Sequence, residues 1–171
     1  MGLRMVGVEY FLIADYYGKR VATRSRVPLI DHIHEGLTIM ERRGASEVAK
    51  RAYCLHPLLQ NDADLEANYL LVSRVAAPQA ILLAMEYRNI ANAYLSQRAV
   101  ASIKESIAEI ALSPLVDVQE MLIADKCQNR KDFLRYHLDS HPRSTILDQY
   151  FKNWLARLGV IEDYDKLVDG L

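Results

Sequence analysis

The chain has 171 residues, of which 51% are hydrophobic, and its 21 lysines and arginines nearly balance its 22 aspartates and glutamates. This length predicts one compact domain over residues 1–171, and the balanced charge provides no general attraction for a nucleic acid. Residues 69–87 are the most apolar stretch, but Arg74 and Pro78 interrupt it, which argues against a membrane span.

The composition favours helices over sheet. Seven glycines and five prolines are few for a fold with many turns, whereas alanine, leucine, glutamate, arginine and lysine favour helix. The predicted fold class is therefore all-α, a compact helical bundle. Cys54 and Cys127 form no CxxC pair, so we predict reduced thiols in a cytoplasmic protein.

Apolar residues recur at helical spacing along most of the chain. The predicted helices cover about residues 3–17, 28–43, 46–57, 62–75, 78–95, 102–112, 114–137 and 145–158, followed by a short terminal helix. Pro28 opens the second of these and Gly44 closes it, while Ser46 can cap the third. Pro57 lacks a backbone donor and is expected to end or bend the third helix.

The helix that begins near Pro114 carries polar residues on its inward face. This face comprises Leu115, Val118, Leu122, Asp125, Asn129 and Phe133, which are spaced three or four residues apart. An ionised carboxylate at Asp125 would need a cation or hydrogen bonds to offset its burial. His56 lies on an inward stripe of the third helix, and His32 lies at the edge of such a stripe on the second. These three side chains are a candidate ligand set for a divalent metal.

Each feature also has a purely structural interpretation. A single inward histidine is more often a hydrogen-bonded core residue than a ligand, and an inward aspartate is often part of a structural ion pair. The segment with His137 and His141 can be an ordinary helix stop. The aromatic residues at helical spacing near the C-terminus can form core or a subunit contact, and these are Tyr150, Phe151 and Trp154.

Three segments, which together span about residues 23–133, resemble the HD-domain phosphohydrolases and in particular the alarmone hydrolase domain of the RelA/SpoT type. They are "TRSRVPLIDHI", "AYCLHPLLQND" and "IADKCQNRKDF", in the order that this family shows. The resemblance implies a bundle of the HD-domain type, with His32, His56 and Asp125 as metal ligands. It also implies a divalent cofactor, manganese, and a phosphorylated nucleotide as partner. Arg24 and Asn129 match substrate contacts of the family, and the neighbouring Lys126 and Arg130 are further candidates.

Two positions depart from the family pattern. Pro57 follows the second histidine, where the family has the aspartate that ligates the metal. In the family, an acidic pair activates water at the two catalytic positions that Gln60 and Asn61 occupy here. Both of these side chains are amides, which cannot act as general bases. Asp62, one residue further on, is the expected substitute base.

Two functions follow from these residues. The first is a metal-dependent phosphohydrolase or pyrophosphohydrolase that acts on a phosphorylated nucleotide, in which three protein ligands leave open positions for water and phosphate. The alternative is a catalytically inactive HD-like module that binds or sequesters a nucleotide. We expect neither a nucleic-acid nor a membrane partner, and a homo-oligomer is compatible with the sequence.

Overall fold

The structure, a computed structural model, describes residues 7–97, 110–138, 140 and 144–171. Its helices are α1 (Gly7–Tyr17), α2 (Leu29–Arg42), α3 (Glu47–Leu59), α4 (Asp62–Val75), α5 (Pro78–Gln97), α6 (Val116–Tyr136), α7 (Ser144–Arg157) and α8 (Tyr164–Val168). A short 3-10 helix, Ile161–Asp163, precedes α8. These residues contain no strand, and one isolated bridge joins Val21 to Pro28. The all-α prediction is confirmed.

Local signals determine the end of α2 and the start of α3. The hydroxyl of Ser46 accepts a hydrogen bond from the amide of Ala49 (3.0 Å), as its predicted capping role requires. Gly44 follows α2 with a φ of +69°, a conformation that favours glycine and stops the helix. The predicted helix over 102–112 has no counterpart at residues 110–112, and residues 102–109 lie outside the described ranges.

Pro57 does not end α3. The helix continues through Pro57 to Leu59, although proline supplies no amide hydrogen for the carbonyl oxygen of Tyr53, four residues earlier. The Nδ1 atom of His56 lies 2.6 Å from that oxygen and takes the place of the missing donor. A side-chain hydrogen bond thus satisfies the backbone group that the proline leaves open.

Helices α3 and α6 form the centre of the bundle. Helix α3 packs against α1, α2, α4, α5 and α6, and α6 also contacts α2, α5, α7 and α8. All residues of 121–128 are buried, as expected for a helix with neighbours on every side. The three C-terminal aromatic residues are buried within the chain, so they belong to the core; these are Tyr150, Phe151 and Trp154. No helix in the described ranges is both long and apolar enough to cross a membrane.

Helices α2 and α3 approach closely at Gly36. A Cβ atom added there would lie 2.1 Å from the hydroxyl oxygen of Tyr53 and 2.3 Å from two of its ring carbons. The buried Tyr53 ring therefore packs directly on the backbone of α2, one helical turn after His32. This contact fixes the distance between the two helices that carry His32 and His56.

Gly36→Ala is expected to lower the free energy of unfolding by about 1–3 kcal/mol, because the overlap with Tyr53 outweighs the better helix propensity of alanine. Urea unfolding of the two proteins measures the difference. Combining Gly36→Ala with Tyr53→Ala should remove the overlap. The double variant should therefore be more stable than the sum of the two single effects predicts. Additive effects would show that the Tyr53 ring is not what excludes a side chain at position 36.

Candidate metal centre

Three helices bring His32, His56 and Asp125 together. The Nε2 atoms of the two histidines are 3.2 Å apart, and Oδ1 of Asp125 lies 3.5 Å from Nε2 of His32 and 3.8 Å from Nε2 of His56. His32 lies in the first turns of α2, His56 in the last turn of α3 and Asp125 near the middle of α6. These residues offer three ligand atoms within 4.8 Å of one another, so they could hold a metal ion.

Hydrogen bonds on the far side of each ring determine which ring nitrogen carries the hydrogen when the histidine is neutral. Nδ1 of His56 contacts the carbonyl oxygen of Tyr53, which can only accept, so Nδ1 carries the hydrogen. Nδ1 of His32 lies 2.6 Å from Oε1 of Gln128. In the neutral rings, both Nε2 atoms are left with a lone pair that points toward the other histidine and Asp125.

The buried amide of Gln128 is oriented by two carboxylates. Its Nε2 donates to Oε2 of Glu35 (3.0 Å) and to Oδ2 of Asp132 (2.8 Å). Since carboxylates only accept, the amide nitrogen must face them and the amide oxygen must face His32. Lys131 pairs with both Glu35 and Asp132, which offsets part of their negative charge. Gln128 was not among the residues predicted from the sequence, although it lies three residues after Asp125 and on the same side of α6.

Asp125 is held in its charged form inside the protein. It is only 4% exposed; Lys126 donates to its Oδ2 (2.7 Å), and Asn129 donates to its Oδ1 (2.8 Å). Burial alone would raise the pKa of this carboxyl, but the charge of Lys126 and its hydrogen bond bring the pKa well below its usual value. Oδ1 keeps a lone pair on the side that faces the histidines.

His56 stays neutral in the folded protein. The side chain is 2% exposed, and burial, with a smaller contribution from His32, lowers its pKa to about 3. The Tyr53 and Tyr87 rings pack against the imidazole, with centroids 4.6 and 4.9 Å away. A neutral imidazole is the form that binds a metal.

The geometry of the three ligand atoms fits a divalent ion. Ligand atoms about 2.0–2.2 Å from a metal, at angles between octahedral and tetrahedral, lie about 2.8–3.6 Å from one another. Two of the three separations, 3.2 and 3.5 Å, fall in this range, and the third, 3.8 Å, is slightly longer. Three acceptor atoms this close together repel one another unless a cation lies between them.

These residues lie at the base of a cavity of about 600 Å³. Its polar lining includes Arg24, His32, His56, Gln60, Asp125, Lys126, Gln128, Asn129, Asp132 and His137. Its apolar and aromatic lining includes Tyr17, Pro57, Phe133, Leu147, Tyr150 and Phe151. Arg24 lies in the loop between α1 and α2, and it makes no hydrogen bond or ion pair with the described residues.

Of the other three residues expected to bind substrate, Asn129 and Lys126 line the cavity and Arg130 does not. Asn129 lines the cavity, as expected, but its amide donates to Asp125. Lys126 also lines the cavity, yet it is 4% exposed, and its ammonium lies under the rings of Tyr150 and Trp154. It is thus a buried ion-pair partner rather than a solvated cation. Arg130 is absent from the lining. It stacks on Tyr164, 4.3 Å from the ring centroid, because α6 turns it toward α8.

Asp62 and Asn61 do not reach the cavity. The side chain of Asp62 is 96% exposed and forms an ion pair with Arg88 on α5. The side chain of Asn61 accepts a hydrogen bond from the amide of Asp64 (2.8 Å) and caps α4. Helix α4 begins immediately after α3, and this turn directs both side chains to the surface. The structure therefore gives no support for the expected base and its neighbour.

No protein-family model, no curated protein and no solved structure matches the chain.

Proposed function

We propose that this protein is a metal-dependent phosphohydrolase that acts on a phosphorylated nucleotide. The observation that carries the proposal is the group of three acceptor atoms from His32, His56 and Asp125 at the base of a cavity of nucleotide size. The resemblance to HD-domain phosphohydrolases supports the same ligand set. Two imidazoles and a carboxylate suit several divalent metals, and the resemblance favours manganese.

A divalent ion bound there would act as a Lewis acid on a phosphoryl oxygen and activate water. The protein's own contribution is to hold the ligands in place. Gln128 and the carbonyl of Tyr53 orient the two imidazoles, and Lys126 and Asn129 keep the Asp125 carboxylate charged and fixed. Such outer hydrogen bonds strengthen metal binding.

The cavity matches a nucleotide in size and chemistry. Ligand sites usually enclose about 300–1,000 Å³, with apolar walls and a few polar groups. The partly exposed ring of Tyr17 in the lining can stack on a base, and the Arg24 guanidinium is available for a phosphate. Lys126 contributes less to phosphate binding, because Asp125 already neutralises it.

A second candidate function rests on the carboxylates of the cavity. Among the described residues, the lining contains two carboxylates, those of Asp125 and Asp132. Asp125 accepts hydrogen bonds from Lys126 and Asn129. Asp132 accepts a hydrogen bond from Gln128 and forms an ion pair with Lys131. This leaves no free carboxylate in the described lining to act as a general base. The observation favours a nucleotide-binding or sequestering module that does not cleave its ligand.

One set of measurements separates the two functions. The metal-free protein and the Mn²⁺-loaded protein are incubated with nucleoside mono-, di- and triphosphates and with guanosine tetraphosphate, and phosphate or pyrophosphate release is recorded. The phosphohydrolase should show metal-dependent release and a thermal stability that rises with Mn²⁺. The binding module should be stabilised by a nucleotide alone without release. A protein that responds to neither would exclude both functions.

Gln128→Met is expected to lower Mn²⁺ affinity by about 10–100-fold, because His32 loses the acceptor that orients its ring. Isothermal titration with Mn²⁺ measures the effect. Gln79→Met on the exposed start of α5 is the matched control and should bind Mn²⁺ as the unmodified protein does. Unchanged affinity in both variants would show that the Gln128 hydrogen bond does not position His32.

A further inference from the structure

Pro57 stands in the last turn of α3, between the candidate ligand His56 and the end of the helix at Leu59. In an uninterrupted helix, the amide of residue 57 would donate to the carbonyl oxygen of residue 53. Proline has no amide hydrogen, so it leaves the oxygen of Tyr53 without its helical partner. This oxygen is buried with its residue and needs a donor.

The donor is the side chain of the neighbouring ligand. Nδ1 of His56 lies 2.6 Å from the Tyr53 oxygen, a short distance for a nitrogen donor. The opposite tautomer would bring the lone pair of Nδ1 against the lone pairs of the carbonyl. The contact therefore allows one tautomer of the neutral ring, with the free lone pair on Nε2, the atom that faces His32 and Asp125.

We propose that Pro57 is a positioning residue for the metal centre. By removing a backbone donor, it reserves the Tyr53 carbonyl for His56 and so fixes both the tautomer and the ring orientation that metal binding requires. The inference rests on the proposed metal site. It gives a specific role to a residue that cannot itself ligate a metal.

The surroundings of the ring explain why one hydrogen bond matters. His56 is buried between the rings of Tyr53 and Tyr87, and no other hydrogen bond reaches its Nδ1 atom from the part of the chain that the structure describes. With an amide at position 57, two donors would compete for the Tyr53 oxygen, and the amide is held there by the helix itself. The imidazole would then be free to change its tautomer or rotate.

The test compares Pro57→Ala and Pro57→Gly with Pro78→Ala. Both variants at position 57 restore the backbone amide, but they differ in side chain and helix propensity. A change that both variants show is therefore attributed to the restored amide. Pro78 is exposed at the first position of α5, where an amide has no helical acceptor, and it serves as the matched control. Neither replacement of Pro57 should prevent folding, since both supply the helical hydrogen bond.

Two readouts are taken for each protein. Imidazole ¹⁵N spectra of the metal-free protein, assigned with His56→Ala, report the tautomer of His56, and isothermal titration reports Mn²⁺ affinity. We expect one Nδ1–H tautomer in the unmodified protein and in Pro78→Ala. Both variants at position 57 should show mixed tautomers and about tenfold weaker Mn²⁺ binding.

Retention of the single tautomer and of full Mn²⁺ affinity in both variants at position 57 would overturn the proposal. An unmodified protein that fails to bind Mn²⁺ overturns the proposed function instead. In that case, the ¹⁵N spectra still decide whether Pro57 sets the tautomer of His56.

Discussion

Asp125→Ala is expected to abolish Mn²⁺ binding and metal-dependent phosphate release, and to lower the free energy of unfolding by about 3–5 kcal/mol. The functional loss follows because Oδ1 of Asp125 is the carboxylate member of the ligand set. The loss of stability follows because the ammonium of Lys126, buried to the same degree, would lose its only carboxylate partner among the described residues. Titration with Mn²⁺ and urea unfolding measure the two effects.

A double variant separates the ligand role from the structural role. Asp125→Asn with Lys126→Met removes both buried charges, so it should recover most of the lost stability. It should still fail to bind Mn²⁺, because an amide is a much weaker metal ligand than a carboxylate. Asp117→Asn, in the first turn of the same helix, is the control that should keep Mn²⁺ binding. Mn²⁺ binding by the double variant would remove Asp125 from the metal centre.

The convergence of His32, His56 and Asp125 could be predicted because it depends on helical periodicity. His56 and Asp125 lie on inward stripes of their helices and His32 lies at the edge of such a stripe, and the fold brings the three side chains to one place. The interior stretch of α6 is less predictable from periodicity, because eight consecutive buried residues have no outward face. Lys126 was expected to contact the substrate, whereas it is buried beside Asp125 and α7 covers it with Tyr150 and Trp154.

The hydrogen bonds around the ligands could not be derived from spacing. The role of Gln128 depends on Glu35 of α2 reaching the same point as Asp132 of α6, which is a property of how the two helices pack. The contact of His56 with the Tyr53 carbonyl depends on a side-chain rotamer. In the same way, the direction in which the Asp62 side chain points depends on the turn between α3 and α4, where Asn61 caps α4.

The metal-free protein is expected to lose stability as the pH falls from about 6.5 toward 3. The pKa of His56 is about 3 in the folded protein, because burial disfavours the charged ring, and returns to its usual value of 6.5 on unfolding. Between these values the unfolded chain binds one more proton than the folded protein, so acid favours unfolding. The slope from this group approaches about 1.4 kcal/mol per pH unit.

Urea unfolding in EDTA, repeated between pH 5 and 7.5, measures the slope in the range where histidines titrate and most carboxylates do not. His56→Gln cannot titrate, so its stability should vary less with pH than that of the unmodified protein. The pKa of Asp125 is also lowered in the folded protein, so this carboxylate adds a loss of the same sign below its usual value of 3.8. Equal slopes for the two proteins between pH 5 and 6.5 would mean that His56 is not buried in its neutral form.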